Sequence, residues 1–95
     1  MNRLEELLTI LNEECAEVIQ SSSKIIRFGN TDEEGEHSLK VEVSQLLWMI
    51  EMVKEEFSWD ERELDIYMHE KRRKLEKYSS LYSSKSRITI EGVNE

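Results

Sequence analysis

The chain has 95 residues, of which 38% are apolar, so it holds a single domain with a thin hydrophobic core. Its 21 acidic and 13 basic residues give a net charge of −8, which argues against binding to nucleic-acid polymers but not against a small phosphate ligand carried with a cation. One cysteine excludes an intrachain disulfide, and neither a signal peptide nor an apolar run long enough for a bilayer is evident, so we expect a soluble cytoplasmic protein with no membrane partner.

The first predicted helix covers residues 2–28. Gly29 follows it and suits a helix C-cap, because glycine adopts a positive φ at little cost. The apolar residues of this helix recur every three or four positions, which places them on one face. They are Leu4, Leu7, Leu8, Leu11, Cys15, Val18, Ile19, Ile25 and Ile26.

The second predicted helix covers residues 36–57 and has two apolar stripes on opposite sides. One stripe consists of Leu39, Val43, Leu46, Ile50, Val53 and Phe57. The other consists of Val41, Trp48 and Met52. A helix that is apolar on two faces is either central in its fold or shared with a second subunit. We therefore interpret Trp48 as an interface residue.

The third predicted helix covers residues 59–80. The preceding sequence SWDE has the form of a capping box, in which Ser58 and Glu61 bind each other's backbone N–H groups. Its apolar stripe consists of Leu64, Tyr67, Met68, Leu75 and Tyr78. We predict a helical domain over residues 1–80 and a serine-rich tail over 81–95. That tail is either flexible or forms an interface, through a short RITIE strand against another chain.

Carboxylates cluster on the first two helices. Glu13, Glu14 and Glu17 share one flank of the first helix, because residues three and four apart lie on the same side. Glu42 and Gln45 occupy the edge between the two stripes of the second helix, and antiparallel packing would turn this edge toward that flank. Clustered carboxylates suit Mg²⁺, which also bridges to substrate phosphates. The alternative is a solvated acidic face with ordinary ion pairs.

The sequences EECAEV (13–18) and EVSQLLWMIEMV (42–53) resemble the MazG-like all-α nucleoside triphosphate pyrophosphohydrolases, whose motif is EExxE followed after a spacer by ExxD. SKIIRFG (23–29) and the lysine-bearing EKRRKLEKYS (70–79) also look like this family. The similarity spans roughly residues 4–80. It is greatest to the short, single-domain members, many of them phage-encoded.

This resemblance implies an all-α fold, with an antiparallel helical hairpin, a third helix and a four-helix-type bundle completed by oligomerisation to a homodimer or homotetramer. It implies hydrolysis of a (deoxy)nucleoside triphosphate to the monophosphate and pyrophosphate. Mg²⁺, or Mn²⁺ in its place, would offset charge on the phosphate oxygens while a carboxylate, Glu14 or Glu17, helps to activate water. The implied metal ligands are Glu13, Glu14, Glu17, Glu42 and Gln45.

Gln45 departs from the family pattern, which has Asp at this position. A neutral amide oxygen is a weaker ligand for Mg²⁺ than a carboxylate. The chain is therefore either an active pyrophosphohydrolase, a weakened or inactive member that binds nucleotide or a protein partner, or a structural helical oligomer with solvated acids.

A triphosphate also needs cationic partners. We expect Lys71 to contact the carboxylates or a phosphate, because it lies on the apolar stripe of the third helix and would point inward. Lys74 is the next candidate, and Lys24 is a third, near the end of the first helix. His37 and His69 have no paired ligand spacing, so we interpret both as ordinary surface or loop residues. The sequence leaves the base and the sugar open.

Overall fold

The computed structural model describes residues 1–29 and 33–82 as almost entirely helical. Helix α1 is Arg3–Phe28, α2 is Glu33–Phe57 and α3 is Glu61–Tyr78, followed by a 3-10 turn at Ser80–Tyr82. The predicted all-α class is confirmed, and these described ranges contain no strand. The suggested RITIE strand lies outside them.

Both ends of α1 are capped by side-chain or backbone groups. The Asn2 side chain accepts a hydrogen bond from the Glu5 N–H at 2.8 Å, and the Asn2 N–H donates to the Glu5 carboxylate at 3.3 Å. At the other end, Gly29 has a φ of 61° and its N–H donates to the Ile25 carbonyl at 2.9 Å. The predicted glycine C-cap is confirmed.

The start of α3 differs from the prediction. Its N-cap is Asp60, whose side chain accepts a hydrogen bond from the Arg62 N–H at 2.9 Å. The predicted capping box on Ser58 is wrong, because Ser58 has a φ of 52° and lies in the turn that follows α2. Helix α2 also begins earlier than predicted, at Glu33. The acidic residues of its first turn interact favourably with the helix dipole.

The chain divides into two compact units, Met1–Phe57 and Ser58–Glu95. The first unit is an antiparallel hairpin of α1 and α2. Near its open end, Arg3 Nε contacts Glu56 Oε2 at 3.1 Å. Near the connection between the helices, the hydroxyls of Ser21 and Ser38 are 3.3 Å apart. The second unit contains α3 and the 3-10 turn. A helical domain ending at residue 80 stays a prediction.

The core of the hairpin lies toward its open end. Leu7, Met49 and Val53 are buried, and Leu11 and Met52 pack against them. Met49 lies on neither of the stripes predicted for α2, and Met52 lies on the stripe opposite the main one. Both contribute to this core because the side of α2 that faces α1 lies between the two stripes.

The two histidines differ in their burial. His69, interpreted as a surface residue, is only 8% exposed on α3. It is one helical turn from Asp65 and close to one turn from Arg72, which are both partly buried, so it belongs to the less exposed side of that helix. His37 is exposed, as expected. Among the helices in the described ranges, none combines the length and apolarity required to span a membrane.

Candidate metal centre

The contact between α1 and α2 follows a regular pattern of poorly exposed positions. On α1 these are Leu7, Leu11, Glu14, Val18, Ser21 and Ile25. On α2 they are Gly35, Leu39, Glu42, Leu46, Met49 and Val53. Alternating steps of four and three residues keep such positions along one seam between two helices. Two of these seam positions, Glu14 and Glu42, carry carboxylates where the pattern otherwise places small or apolar side chains.

Carboxylates from both helices converge in the middle of the hairpin. One oxygen each from Glu14, Glu17 and Glu42 lies within 4.8 Å of the other two. The sequence predicts one pocket that holds these three residues together with Glu13 and Gln45. Glu13 is exposed and does not belong to this group of acids, while Gln45 is exposed on α2 close to Glu42.

The carboxylate group is electrostatically unfavourable without a ligand. Its buried oxygens include Glu14 Oε2 and Glu42 Oε2, neither of which has a hydrogen-bond partner within the described residues. The pKa of Glu42 is raised above its usual value, first by a side-chain hydrogen bond with Glu17 and then by loss of solvent and the charges of Glu17 and Glu14. A hydrogen bond between two carboxyl groups requires a proton, so this contact favours the protonated form.

These residues fit a divalent cation of the Mg²⁺ type. Such ions prefer carboxylate oxygens, and the donor set consists of carboxylates alone. The two buried oxygens, which have no partner among residues 1–29 and 33–82, are also groups whose burial costs free energy unless a donor or a cation satisfies them. Glu14, Glu17 and Glu42 are therefore the residues that could hold a metal.

An apolar cavity lies between the carboxylates and the open end of the hairpin. Its volume is about 200 Å³. It is lined by Arg3, Glu6, Leu7, Ile10, Met49 and Met52. Its floor is therefore the same apolar layer that forms the core, while its two charged residues lie within the first turns of α1.

A polar cavity lies between the carboxylates and the connection of α1 with α2. Its volume is about 160 Å³. It is lined by Ser21, Lys24, Ile25, Glu34, Gly35 and Ser38. Lys24 is exposed, whereas Ser21 and Gly35 are buried. Of the three lysines predicted to bind phosphate, Lys24 is thus the one that belongs to the same unit as the carboxylates, two turns of α1 from Glu17.

The two cavities and the carboxylates share one face of the hairpin. Along α1, residues 3, 10, 17 and 24 are spaced by seven, which is close to two full turns and keeps them on one side. Along α2, residues 35, 42 and 49 have the same spacing. Each set contains at least one residue from each cavity and one from the carboxylate group. We call this surface the site face.

Neither of the two lysines on α3 that were predicted to bind phosphate is buried. Lys71, expected to point inward, is exposed on α3, and Lys74 is exposed as well. Ser38 and Met49 contribute to the cavities and were not predicted as site residues. Their spacing in the sequence does indicate that they share a side of α2 with Glu42, because Ser38 lies one turn before Glu42 and Met49 two turns after it.

Comparison of the chain with protein-family models, curated proteins and solved structures finds no match. The resemblance to the MazG-like enzymes therefore depends on the sequence motifs alone. Any function for the site face has to be argued from its geometry and chemistry.

The carboxylate group predicts a specific dependence of stability on pH. Glu42→Gln should raise the Tm at pH 7 in buffer with chelator by roughly 1–4 °C, because it removes a like-charge repulsion. A raised pKa in the folded state means that stability falls as pH rises above the usual value of 4.5 and through the folded pKa. The advantage of the variant should therefore vanish at pH 4 and below, as measured by thermal unfolding followed by circular dichroism.

Glu55→Gln, at an exposed position on the same helix, is the matched control and should show a smaller change. A Glu42→Gln variant that is no more stable than this control at pH 7 would contradict the repulsion argument.

Proposed function

We propose that the chain hydrolyses a (deoxy)nucleoside triphosphate to the monophosphate and pyrophosphate in the presence of Mg²⁺. The observation that supports this proposal is the convergence of Glu14, Glu17 and Glu42 from two helices. The motif resemblance, which includes the same three residues, supports it from the sequence. We also retain the cytoplasm as the proposed compartment.

The chemistry assigns different roles to the three acids. Glu14 and Glu42 have the buried oxygens without partners and are the proposed metal ligands, with Glu17 completing the group. A bound Mg²⁺ would supply charge compensation for the phosphate oxygens. Water oxygen forms a bond to the α-phosphorus, the bond to the bridging oxygen of pyrophosphate breaks, and a carboxylate accepts the water proton. Glu17, the most exposed of the three, is our proposed acceptor.

Lys24 is the proposed cationic partner of the phosphates, because it lines the polar cavity between the carboxylates and the connection of α1 with α2. The chain has a net charge of −8 and repels phosphate, so a phosphate-binding surface on it requires a local positive charge such as that of Lys24. The roles of Lys71, Lys74 and Glu13 stay predictions.

The activity is tested by measuring pyrophosphate release from each of the dNTPs and NTPs with Mg²⁺ and with Mn²⁺. We expect turnover in the wild type, and a loss of about 100-fold or more in Glu14→Gln and Glu17→Gln, because each removes a charge that the reaction uses. Glu55→Gln should retain wild-type turnover. Mg²⁺ should also raise the Tm of the wild type by mass action, and raise it less in Glu14→Gln.

Pyrophosphate release that is absent with every nucleotide and both metals, at high protein concentration, would exclude the enzymatic proposal. An unchanged Tm across the Mg²⁺ titration would favour solvated acids in a structural oligomer.

A second candidate function is nucleotide or protein binding without turnover, and Gln45 is the observation that favours it. This residue is exposed on α2, one turn from Glu42, so its side chain can approach the carboxylate group. It supplies a neutral oxygen where the family motif has a carboxylate. A site that lacks this negative charge would bind a metal–nucleotide complex more weakly, or would position the complex less accurately for hydrolysis.

Gln45→Asp distinguishes the two candidates. If the missing charge limits the reaction, this variant should increase the rate of pyrophosphate release about tenfold or more, and lower the Mg²⁺ concentration needed for half-maximal rate. Ser44→Asp adds the same charge at a neighbouring exposed position and should change neither quantity. Equal rates in Gln45→Asp and the wild type would show that Gln45 does not limit the activity.

We further propose that the chain works as a homodimer or homotetramer. The buried apolar core of the described residues consists of Leu7, Met49 and Val53. Many large apolar side chains are more than half exposed, on all three helices. They include Ile19, Ile26, Phe28, Leu47, Trp48, Ile66, Tyr67, Met68 and Tyr78. So small a core gives little stability, and burial of these side chains against a second copy would add to it.

Trp48→Glu tests this proposal. Trp48 is 66% exposed, and a charge in its place should lower the affinity between copies and shift the mass from dimer or tetramer toward monomer. Asn12→Glu introduces the same charge at an exposed polar position of α1 and should leave the mass unchanged. Sedimentation velocity or light scattering gives the result. A wild-type chain that is monomeric at tens of micromolar would overturn the proposal.

A further inference from the structure

We infer that the site face binds its nucleotide in one orientation, with the base in the apolar cavity and the leaving pyrophosphate in the polar cavity. This inference rests on the proposed function and assigns the base subsite and a pair of phosphate-binding hydroxyls within it. It follows from the order of the three features along the hairpin, which is apolar cavity, carboxylates and polar cavity.

The apolar cavity has the chemistry of a site for a flat aromatic ring. Met49 is buried and Met52 partly buried at its wall, and thioether sulfurs make favourable contacts with aromatic rings. Ile10 adds apolar surface on the α1 side. Arg3 lies at the edge of the cavity, where its guanidinium contacts Glu56 at 3.1 Å. A guanidinium plane can stack on a base or donate hydrogen bonds to its edge.

The polar cavity has the chemistry of a phosphate site. The hydroxyls of Ser21 and Ser38 are 3.3 Å apart and hydrogen-bond to each other, and rotation of the O–H that makes this bond would let both hydroxyls donate to a bound anion. Each serine is one helical turn from a carboxylate of the group, Ser21 from Glu17 and Ser38 from Glu42. Lys24 adds the positive charge. An acid, Glu34, also lines this cavity, so we expect pyrophosphate to bind as its Mg²⁺ complex.

The spacing along α1 suits an extended nucleotide. Ile10 and Lys24 are each seven residues from Glu17, which corresponds to about 10 Å in either direction. The α-phosphate can therefore lie at the carboxylates while the base and the terminal phosphates extend in opposite directions. The reverse orientation would place the phosphate charges against Ile10, Met49 and Met52, where their loss of solvent costs free energy.

The test measures equilibrium binding to the full chain by titration calorimetry, with Mg²⁺-pyrophosphate and the four dNMPs as separate probes in the presence of Mg²⁺. Lys24→Gln should weaken pyrophosphate binding about tenfold, the effect of losing one hydrogen bond between charged groups, and leave dNMP binding unchanged. Ile10→Asn should weaken dNMP binding and leave pyrophosphate binding unchanged. Met52→Gln provides a second variant of the apolar cavity in case Ile10→Asn fails to fold.

Two variants serve as matched controls. Lys40→Gln removes an exposed lysine of α2 and Ile26→Asn an exposed isoleucine of α1, and neither residue lines either cavity. Both should bind each probe like the wild type. Equal effects of Lys24→Gln on both probes, a reversed pattern, or wild-type chain that binds neither probe would overturn the inference.

The outcomes also separate this inference from the proposed function. The expected binding pattern without any pyrophosphate release would retain the orientation and reject the enzymatic activity. Pyrophosphate release together with a reversed binding pattern would retain the activity and reject the orientation.

Discussion

The stability of the hairpin depends on the seam between α1 and α2, where favourable packing contacts offset the cost of buried carboxylates. Glu14 and Glu42 occupy positions that face the neighbouring helix, and their buried oxygens lack hydrogen-bond partners among the described residues. The helices remain together because other contacts lie on both sides of this layer. The apolar layer around Met49 packs toward the open end, and the contact between Ser21 and Ser38 lies toward the connection. The carboxylates are therefore held close together at a cost in stability.

Much of the fold could be predicted because helical spacing and capping are local properties of the sequence. The ends of α1 and the C-cap at Gly29 follow from short-range patterns. The start of α3 could not be predicted in the same way. Both Ser58 and Asp60 are residue types that cap helices well. Which of them is the N-cap depends on which has the extended backbone conformation that immediately precedes the helix. The positive φ of Ser58 assigns that residue to the turn and leaves Asp60 as the cap.

Sequence spacing predicts that Glu13, Glu14 and Glu17 lie on the same flank of α1, but it does not separate Glu13 from the other two. Glu14 and Glu17 are three residues apart and share a side of α1, while Glu13 is adjacent to Glu14 and points about 100° away from it. Only the angular position of the seam decides which of these acids faces α2. The two cavities depend on the register between the helices as well. A single sequence indicates which residues share a face of each helix, but it does not indicate the register between the two helices. The site face could therefore be identified only in the structure.

The same repulsion that lowers stability also links cation binding to protons. A raised pKa of Glu42 means that a proton competes with any cation for this carboxylate over a wider range of pH than at an isolated glutamate. Binding of Mg²⁺ in the proposed function would displace this proton where Glu42 is protonated, and would offset the repulsion from Glu14 and Glu17 where Glu42 is ionised. Affinity should consequently fall as pH decreases toward the folded pKa. Replacing the carboxylates by apolar seam residues would stabilise the hairpin, but it would abolish the feature that makes the site face a candidate for phosphate chemistry.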